Sequence, residues 1–161
     1  MKIETGVIAE KYKDSLFSAA FNICRNAADA DDAVQETLLR YHTISKQFES
    51  EQHIRAWLLR VAINQAKNIS TSFWRRSGVP LEDYVETLEF ESPESKGLFE
   101  EVLKLPEKYR IVLHLFYYEE YSVREIAGIL HTSEGNVKVR LTRARKLLKE
   151  KLQEEWNDSD E

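Results

Sequence analysis

Apolar side chains recur every three or four positions along most of this 161-residue chain, and this spacing constrains the fold more than any other feature. The first series is Ile8, Tyr12, Leu16, Ala20 and Ile23. Such spacing places side chains on one face of an α-helix, whereas a half-buried strand alternates every second residue. No alternating pattern is present, so the sequence predicts an all-α fold.

Two further helices are predicted in the first half of the chain. Asp29 is expected to cap the second helix, and the third helix runs towards Trp74, with Trp57 on its apolar, core-packing face. The polar stretch of residues 45–52 separates them. In the second half, a short helix stops at Pro106, and that proline then lies near the first turn of the next helix, where its fixed φ costs little.

The charges are distributed unevenly, although the formal net charge is -5. Residues 77–95 contain six acids and no base, and residues 153–161 contain five acids and no base. The remaining segments are both net positive, and local charge governs phosphate binding. We therefore predict two small helical domains (1–76 and 96–152), an acidic linker (77–95) and an acidic tail (153–161). Whether the linker is a disordered spacer or orders against a partner stays open.

Residues 122–148 are typical of a helix-turn-helix. Ser122 and Glu125 have the spacing of a capping box, which starts a helix at about Val123. Residues 131–133 make a short turn, and a strongly basic helix follows. A basic face on a purely structural helix is the alternative, but the cap, the turn and the apolar spacing together favour DNA binding.

In such a motif the first turns of the second helix enter the major groove. The residues expected there are Ser133, Glu134, Asn136, Lys138, Val139 and Arg140. Arg143 and Lys146 are better placed for contacts with the phosphate backbone.

Four stretches in order resemble bacterial RNA polymerase sigma factors, specifically the extracytoplasmic-function (ECF) group of the sigma-70 family. Residues 29–36 are similar to the polymerase-binding helix of that family, and residues 57–64 to its promoter-melting helix. Residues 105–110 and 125–127 are similar to its fourth domain. The resemblance covers roughly residues 8–152. It implies a transcription initiation factor that binds core RNA polymerase and directs it to promoters, without catalytic activity of its own.

The resemblance also implies roles for the first domain, as sigma domain two. The clamp helices of the largest polymerase subunit would be bound by Asp29, Asp32, Gln35 and Glu36. An acidic first turn that only complements the helix dipole is the alternative. The minus-ten promoter element would be bound and melted by Phe48, His53, Asn64, Lys67, Asn68, Arg75 and Arg76. Phe73 and Trp74 could belong to the core or face DNA.

The second domain would be sigma domain four, which reads the minus-thirty-five element and contacts the flap of the second-largest subunit. The linker would thread the channel that RNA later fills, and an anti-sigma factor is an expected partner. The chain departs from the family at Asn136 and Val139, where many members have Thr and Ser, and at residues 70–72, which are neutral. The promoter sequence therefore cannot be inferred.

Other classes of protein are less consistent with the sequence. The chain has no glycine-rich phosphate loop, nucleophile elbow or metal-ligand cluster, so we expect no enzyme, cofactor or metal site. The competing hypotheses are an autonomous helix-turn-helix regulator that binds operator DNA and a helical interaction protein without DNA. A single cysteine, Cys24, and the lack of a signal or membrane-spanning segment predict a soluble cytoplasmic protein.

Overall fold

The computed structural model describes residues 1–73 and 92–159, with side chains for 1–69, 92 and 96–153. Across these ranges every regular element is helical, which confirms the predicted all-α class. The helices are α1 (Thr5–Cys24), α2 (Ala27–Thr43), α3 (Glu51–Phe73), α4 (Pro93–Lys104), α5 (Glu107–Leu113), α6 (Val123–Leu130) and α7 (Glu134–Ser159). The chain divides into two compact units: the first contains α1–α3 together with residues 128–131, and the second contains the other helical residues after 92.

In the first unit each of the three helices packs against the other two. The apolar series read from the sequence supplies much of the core, because Ile8, Leu16 and Ala20 on α1 are buried, as is Leu58 on α3, which packs against α1. Tyr41 on α2 is fully buried. Trp57 packs its ring against that of Tyr41, with centroids 6.3 Å apart, as its apolar face predicted.

The predicted cap of α2 is wrong by three residues. The N-cap is Asn26, whose side-chain oxygen accepts a hydrogen bond from the Asp29 N–H at 3.0 Å. Asp29 therefore lies inside the first turn, and its side chain is buried. Both residue types cap helices well, but Ala27 and Ala28 favour helix strongly, so the helix starts at the earlier cap.

In the second unit α4 and α5 both pack against α7. Leu103, Ile111, Leu115 and Leu141 are among its fully buried side chains. α5 does not end as an ordinary α-helix, because residues 114–118 form a wider π-helical turn. The Glu119 N–H closes this turn on the His114 carbonyl at 3.1 Å, a span of five residues. The sequence did not predict this turn.

The capping box predicted at the start of α6 is present. The Glu125 N–H donates to Ser122 Oγ, and the Ser122 N–H donates to Glu125 Oε1, each at 3.1 Å. These two bonds satisfy amide groups that the helix cannot satisfy itself.

Because an alanine side chain has no oxygen to accept a hydrogen bond from the Glu125 N–H, Ser122→Ala should lower the stability of the second unit by about 1 kcal/mol. Urea denaturation followed by circular dichroism would measure the change. The matched control is Ser45→Ala, since Ser45 is exposed in the loop between α2 and α3. Equal stability of the two variants would contradict a stabilising cap at Ser122.

Candidate nucleic-acid interface

The turn between α6 and α7 is fixed by local hydrogen bonds. His131 takes a left-handed backbone conformation with φ 54°, and the Thr132 N–H donates to the Ala127 carbonyl at 3.1 Å. Ser133 Oγ accepts from the Asn136 N–H at 3.1 Å and so caps α7. The Asn136 amide nitrogen also donates to Thr132 Oγ1 at 3.0 Å. The start of α7 is thereby oriented by its own cap and by the turn that precedes it.

One side of α7 is buried and the other is exposed along its first three turns. Val137, Leu141 and Ala144 are buried. Seven of the eight residues predicted to bind minus-thirty-five DNA are exposed, and the eighth, Arg140, is half-buried; the seven are Ser133, Glu134, Asn136, Lys138, Val139, Arg143 and Lys146. All eight lie at the capped start and in the first four turns of α7, outside its buried stripe, and they include four cations and one acid; we call their surface the α7 face.

Arg145 also lies on α7, but unlike the basic residues of the α7 face it contacts aromatic side chains of the same unit. Its guanidinium lies 5.5 Å from the ring centroid of Phe116 and 5.4 Å from that of Tyr117. Its Nε also donates to the Tyr117 hydroxyl. Arg145 thus ties α7 to the π-helical turn, a role that sequence reasoning did not assign.

Truncation of Arg145 should therefore affect stability, whereas truncation of Arg143 should affect DNA binding. Arg145→Ala should lower the stability of the second unit by about 1 kcal/mol, because the cation–π stack and the hydrogen bond disappear. Arg143→Ala should leave stability nearly unchanged and weaken DNA binding. Thermal unfolding and DNA titration of both variants would check this, and an equal loss of stability would count against the assignment.

The acidic side of α2 brings together three of the four predicted polymerase-binding residues. Asp32, Gln35 and Glu36 are exposed, and Glu36 pairs with Arg40 at 3.3 Å. Asp29 is not on this surface, because only 5% of it is exposed. Burial raises the pKa of the Asp29 carboxyl above its ordinary value, and repulsion from Asp32 contributes a smaller increase. We call the surface of Asp32, Gln35 and Glu36 the α2 acidic face.

The residues predicted to bind minus-ten DNA fall into two groups. On α3, Asn64 and Asn68 are exposed and Lys67 is half-buried, at spacings that keep them on one side of the helix. In the loop before α3, Phe48 is only 3% exposed, and its ring meets those of His53 and Trp57 at 5.1 and 5.7 Å. The side chain of Phe73, all of Trp74, Arg75 and Arg76, and most of the predicted linker lie outside the described residues.

His53 and Ser50 fix the junction between this loop and α3. Ser50 Oγ accepts from the His53 N–H at 3.1 Å, as an N-cap does. His53 Nδ1 accepts from the Glu49 N–H, also at 3.1 Å. Glu51, in the first turn of α3, pairs with Lys11 and accepts from the Tyr12 hydroxyl at 2.8 Å, which fastens that turn to α1. Hydrogen bonding to Lys11 and Tyr12 lowers the pKa of the Glu51 carboxyl.

Two negative findings apply to the described part of the chain. No group of three or more His, Cys, Asp or Glu side chains there is arranged to hold a metal ion. No helix there is long and apolar enough to cross a bilayer.

Comparison with known proteins gives a consistent set of relatives. Two family models match, Sigma-70 region 2 over residues 8–79 and Sigma-70, region 4 over residues 98–148. The RNA polymerase sigma-H factor of Pseudomonas aeruginosa is 30% identical over 89% of this chain and 83% of its own length. The ECF RNA polymerase sigma-E factor of Escherichia coli K12 is 31% identical over 79% of this chain and 75% of its own length. The chain belongs to the ECF group of the sigma-70 family.

Further relatives of this sigma factor agree in sequence and in fold. The ECF RNA polymerase sigma factor SigW of Bacillus subtilis is 29% identical over 91% of this chain and 88% of its own length. The sigma factor RpoE of Bartonella quintana, solved with the anti-sigma factor NepR, has the same fold, with TM-score 0.71 and 20% identity over 92% of this chain and 96% of that one. CnrH, solved with the cytosolic domain of CnrY, has TM-score 0.67 and 25% identity over 92% of this chain and 87% of that one.

This sigma factor is a transcription initiation factor that directs RNA polymerase to promoters, as the sequence motifs predicted. The family models place its two matched regions on the units that carry the α2 acidic face and the α7 face. Nothing in these comparisons favours the autonomous operator-binding regulator.

Proposed function

We propose that each exposed surface described above binds a different partner during transcription initiation. The α7 face reads the minus-thirty-five element, and the polar side of α3 together with the loop before it receives the opened minus-ten element. The α2 acidic face binds the clamp helices of the largest polymerase subunit. Initiation then needs no hydrolytic site in the sigma factor, because the binding energy of strand capture supports melting.

The α7 face is the single observation that carries the promoter-reading part of this proposal. It combines a capped helix start, which fixes the angle of α7, with exposed cations that can meet phosphates and short polar side chains that can meet base edges. Val139 adds an exposed apolar side chain to the same face, with 45% of its surface accessible. Such a side chain suits the methyl group of thymine in the major groove.

The remaining assignments rest on the family. The second unit would contact the flap of the second-largest subunit, and the acidic linker would occupy the RNA channel until the transcript displaces it. RpoE of Bartonella quintana was solved with an anti-sigma factor, and CnrH was solved with the cytosolic domain of CnrY, so we propose that an anti-sigma factor also regulates this chain. Because its partners are the polymerase and the chromosome, we propose that it acts in the cytoplasm.

Run-off transcription with core polymerase and a genomic promoter library would test the proposed function. We expect specific start sites only when core polymerase and this protein are both present, and weak binding of promoter duplex by the protein alone. Tight duplex binding without polymerase, together with no stimulated transcription, would contradict it and favour the operator-binding regulator.

A further inference from the structure

Residues 1–3 are fastened to the loop between α2 and α3 by backbone hydrogen bonds. The Met1 nitrogen donates to the Phe48 carbonyl at 2.9 Å, and the Phe48 N–H donates to the Met1 carbonyl at 3.1 Å. This reciprocal pairing is the one that joins opposed residues in antiparallel strands, and it joins residues 47 positions apart. It fixes the backbone of the loop at Phe48.

Lys2 holds the opposite end of the same loop. Its ammonium donates to the Ile44 carbonyl at 2.6 Å and to the His42 carbonyl at 3.4 Å, at the C-terminal end of α2. It also lies 5.2 Å from the centroid of the Tyr41 ring. A cation is favourable there because the last carbonyls of a helix lack partners and carry the negative end of its dipole.

Tyr41 completes the attachment from inside the core. Its hydroxyl donates to the Ile3 carbonyl, while its ring packs against that of Phe48 with centroids 5.9 Å apart. The same side chain thus contacts residues 1–3 through its polar end and the loop through its aromatic face. Residues 45–47 lie between the two anchored points and are exposed.

We propose that residues 1–3 act as a strap that holds the 44–48 loop in the conformation that receives an opened minus-ten base. This inference rests on the proposed function of the loop and adds positioning residues, Lys2 and Tyr41, that lie outside the family motifs quoted above. A loop that must be ordered on binding loses conformational entropy at that moment, whereas a strapped loop has lost it already. The strap should therefore act on capture of the opened strand and have little effect on docking to polymerase.

The decisive variant combines Lys2→Met with Tyr41→Phe. It removes the ammonium at position 2 and the hydroxyl at position 41, but it keeps a long side chain at position 2 and the stacked aromatic ring at position 41. We expect the holoenzyme to bind a single-stranded minus-ten oligonucleotide, taken from a promoter found by the run-off experiment, roughly tenfold more weakly. Discrimination between the correct oligonucleotide and one with a changed base should fall in parallel. Affinity for core polymerase and for minus-thirty-five duplex should stay within about twofold.

Two controls separate positioning from charge and from folding. Lys13→Met removes an exposed lysine from the same unit and should leave oligonucleotide binding unchanged. Lys2→Arg should retain binding, because a guanidinium can also donate to the carbonyls at the end of α2. Circular dichroism and thermal unfolding identify any variant that fails to fold, and the two single substitutions then serve in place of the double one.

The outcomes distinguish the strap from the function on which it rests. Wild-type affinity and discrimination in the folded double variant would overturn the strap while leaving the proposed function intact. An equal loss of core-polymerase affinity would also overturn it, because the effect would then be general. If the wild-type holoenzyme did not bind the minus-ten oligonucleotide, the proposed function of the loop would be refuted, and the strap with it.

Discussion

Reversing charge at Lys138 and Arg143 together should abolish promoter-directed transcription. Both side chains are exposed on the α7 face. Lys138→Glu with Arg143→Glu replaces two cations that attract DNA by two anions that repel it. Loss of a base contact at Lys138 would cost about 1–3 kcal/mol, and loss of a phosphate contact at Arg143 would weaken binding further at every sequence. We expect promoter-specific run-off product to fall by roughly a hundredfold or more. Affinity for core polymerase should remain near that of the wild type.

The matched control carries the same change of charge elsewhere in the second unit. Lys108→Glu with Lys151→Glu alters two exposed lysines, one at the start of α5 and one far along α7 from its capped end. If this control lost transcription as severely, the effect would be one of overall charge and the α7 face would lose its special role. Retained transcription by the Lys138/Arg143 variant would contradict the DNA-reading assignment directly.

Charge reversal on the α2 acidic face should have the complementary effect. Asp32→Lys with Glu36→Lys removes two exposed carboxylates that would meet a basic partner, so affinity for core polymerase should fall at least about tenfold. The wild-type affinity should also weaken as salt is raised, because exposed charges are screened. A fluorescence titration of labelled sigma factor with core polymerase at two salt concentrations would measure both effects.

Glu10 and Asp14 provide the control for that experiment. They are exposed on α1 and are also four residues apart, so Glu10→Lys with Asp14→Lys makes the same charge change on another helix of the same unit. We expect polymerase affinity close to wild type for this variant and an unchanged circular dichroism spectrum for both. Equal affinities of the two double variants would refute the α2 acidic face as the docking surface.

The sequence predicts the helices of this protein well because local spacing determines which face of a helix is apolar. Ile8, Leu16 and Leu58 are buried where periodicity places them, and the Ser122–Glu125 box forms within four residues. The cap of α2 was harder to predict, because Asn26 and Asp29 are both good caps and lie within one turn of each other.

Features that depend on distant contacts could not be read from the sequence. Arg145 looks like any other base on α7, and its aromatic partner Tyr117 is 28 residues away. Asp29 is only 5% exposed, whereas its residue type and its place in an acidic stretch suggested an exposed carboxylate. The strap at residues 1–3 joins segments about 40 residues apart, and such long-range pairing leaves no periodic signal.

Because residues 114–118 form a widened turn, the number of residues in this segment matters for its structure as much as their identity does. Deleting one residue from an exposed loop shortens the loop and little else. A deletion here would remove the extra residue that the π-helical turn accommodates, so the backbone would revert to α-helical winding, the bond from the Glu119 N–H to the His114 carbonyl would be lost, and the residues within the turn would shift. Phe116 and Tyr117 would then move away from Arg145, and the second unit would lose one of the links that orient α7.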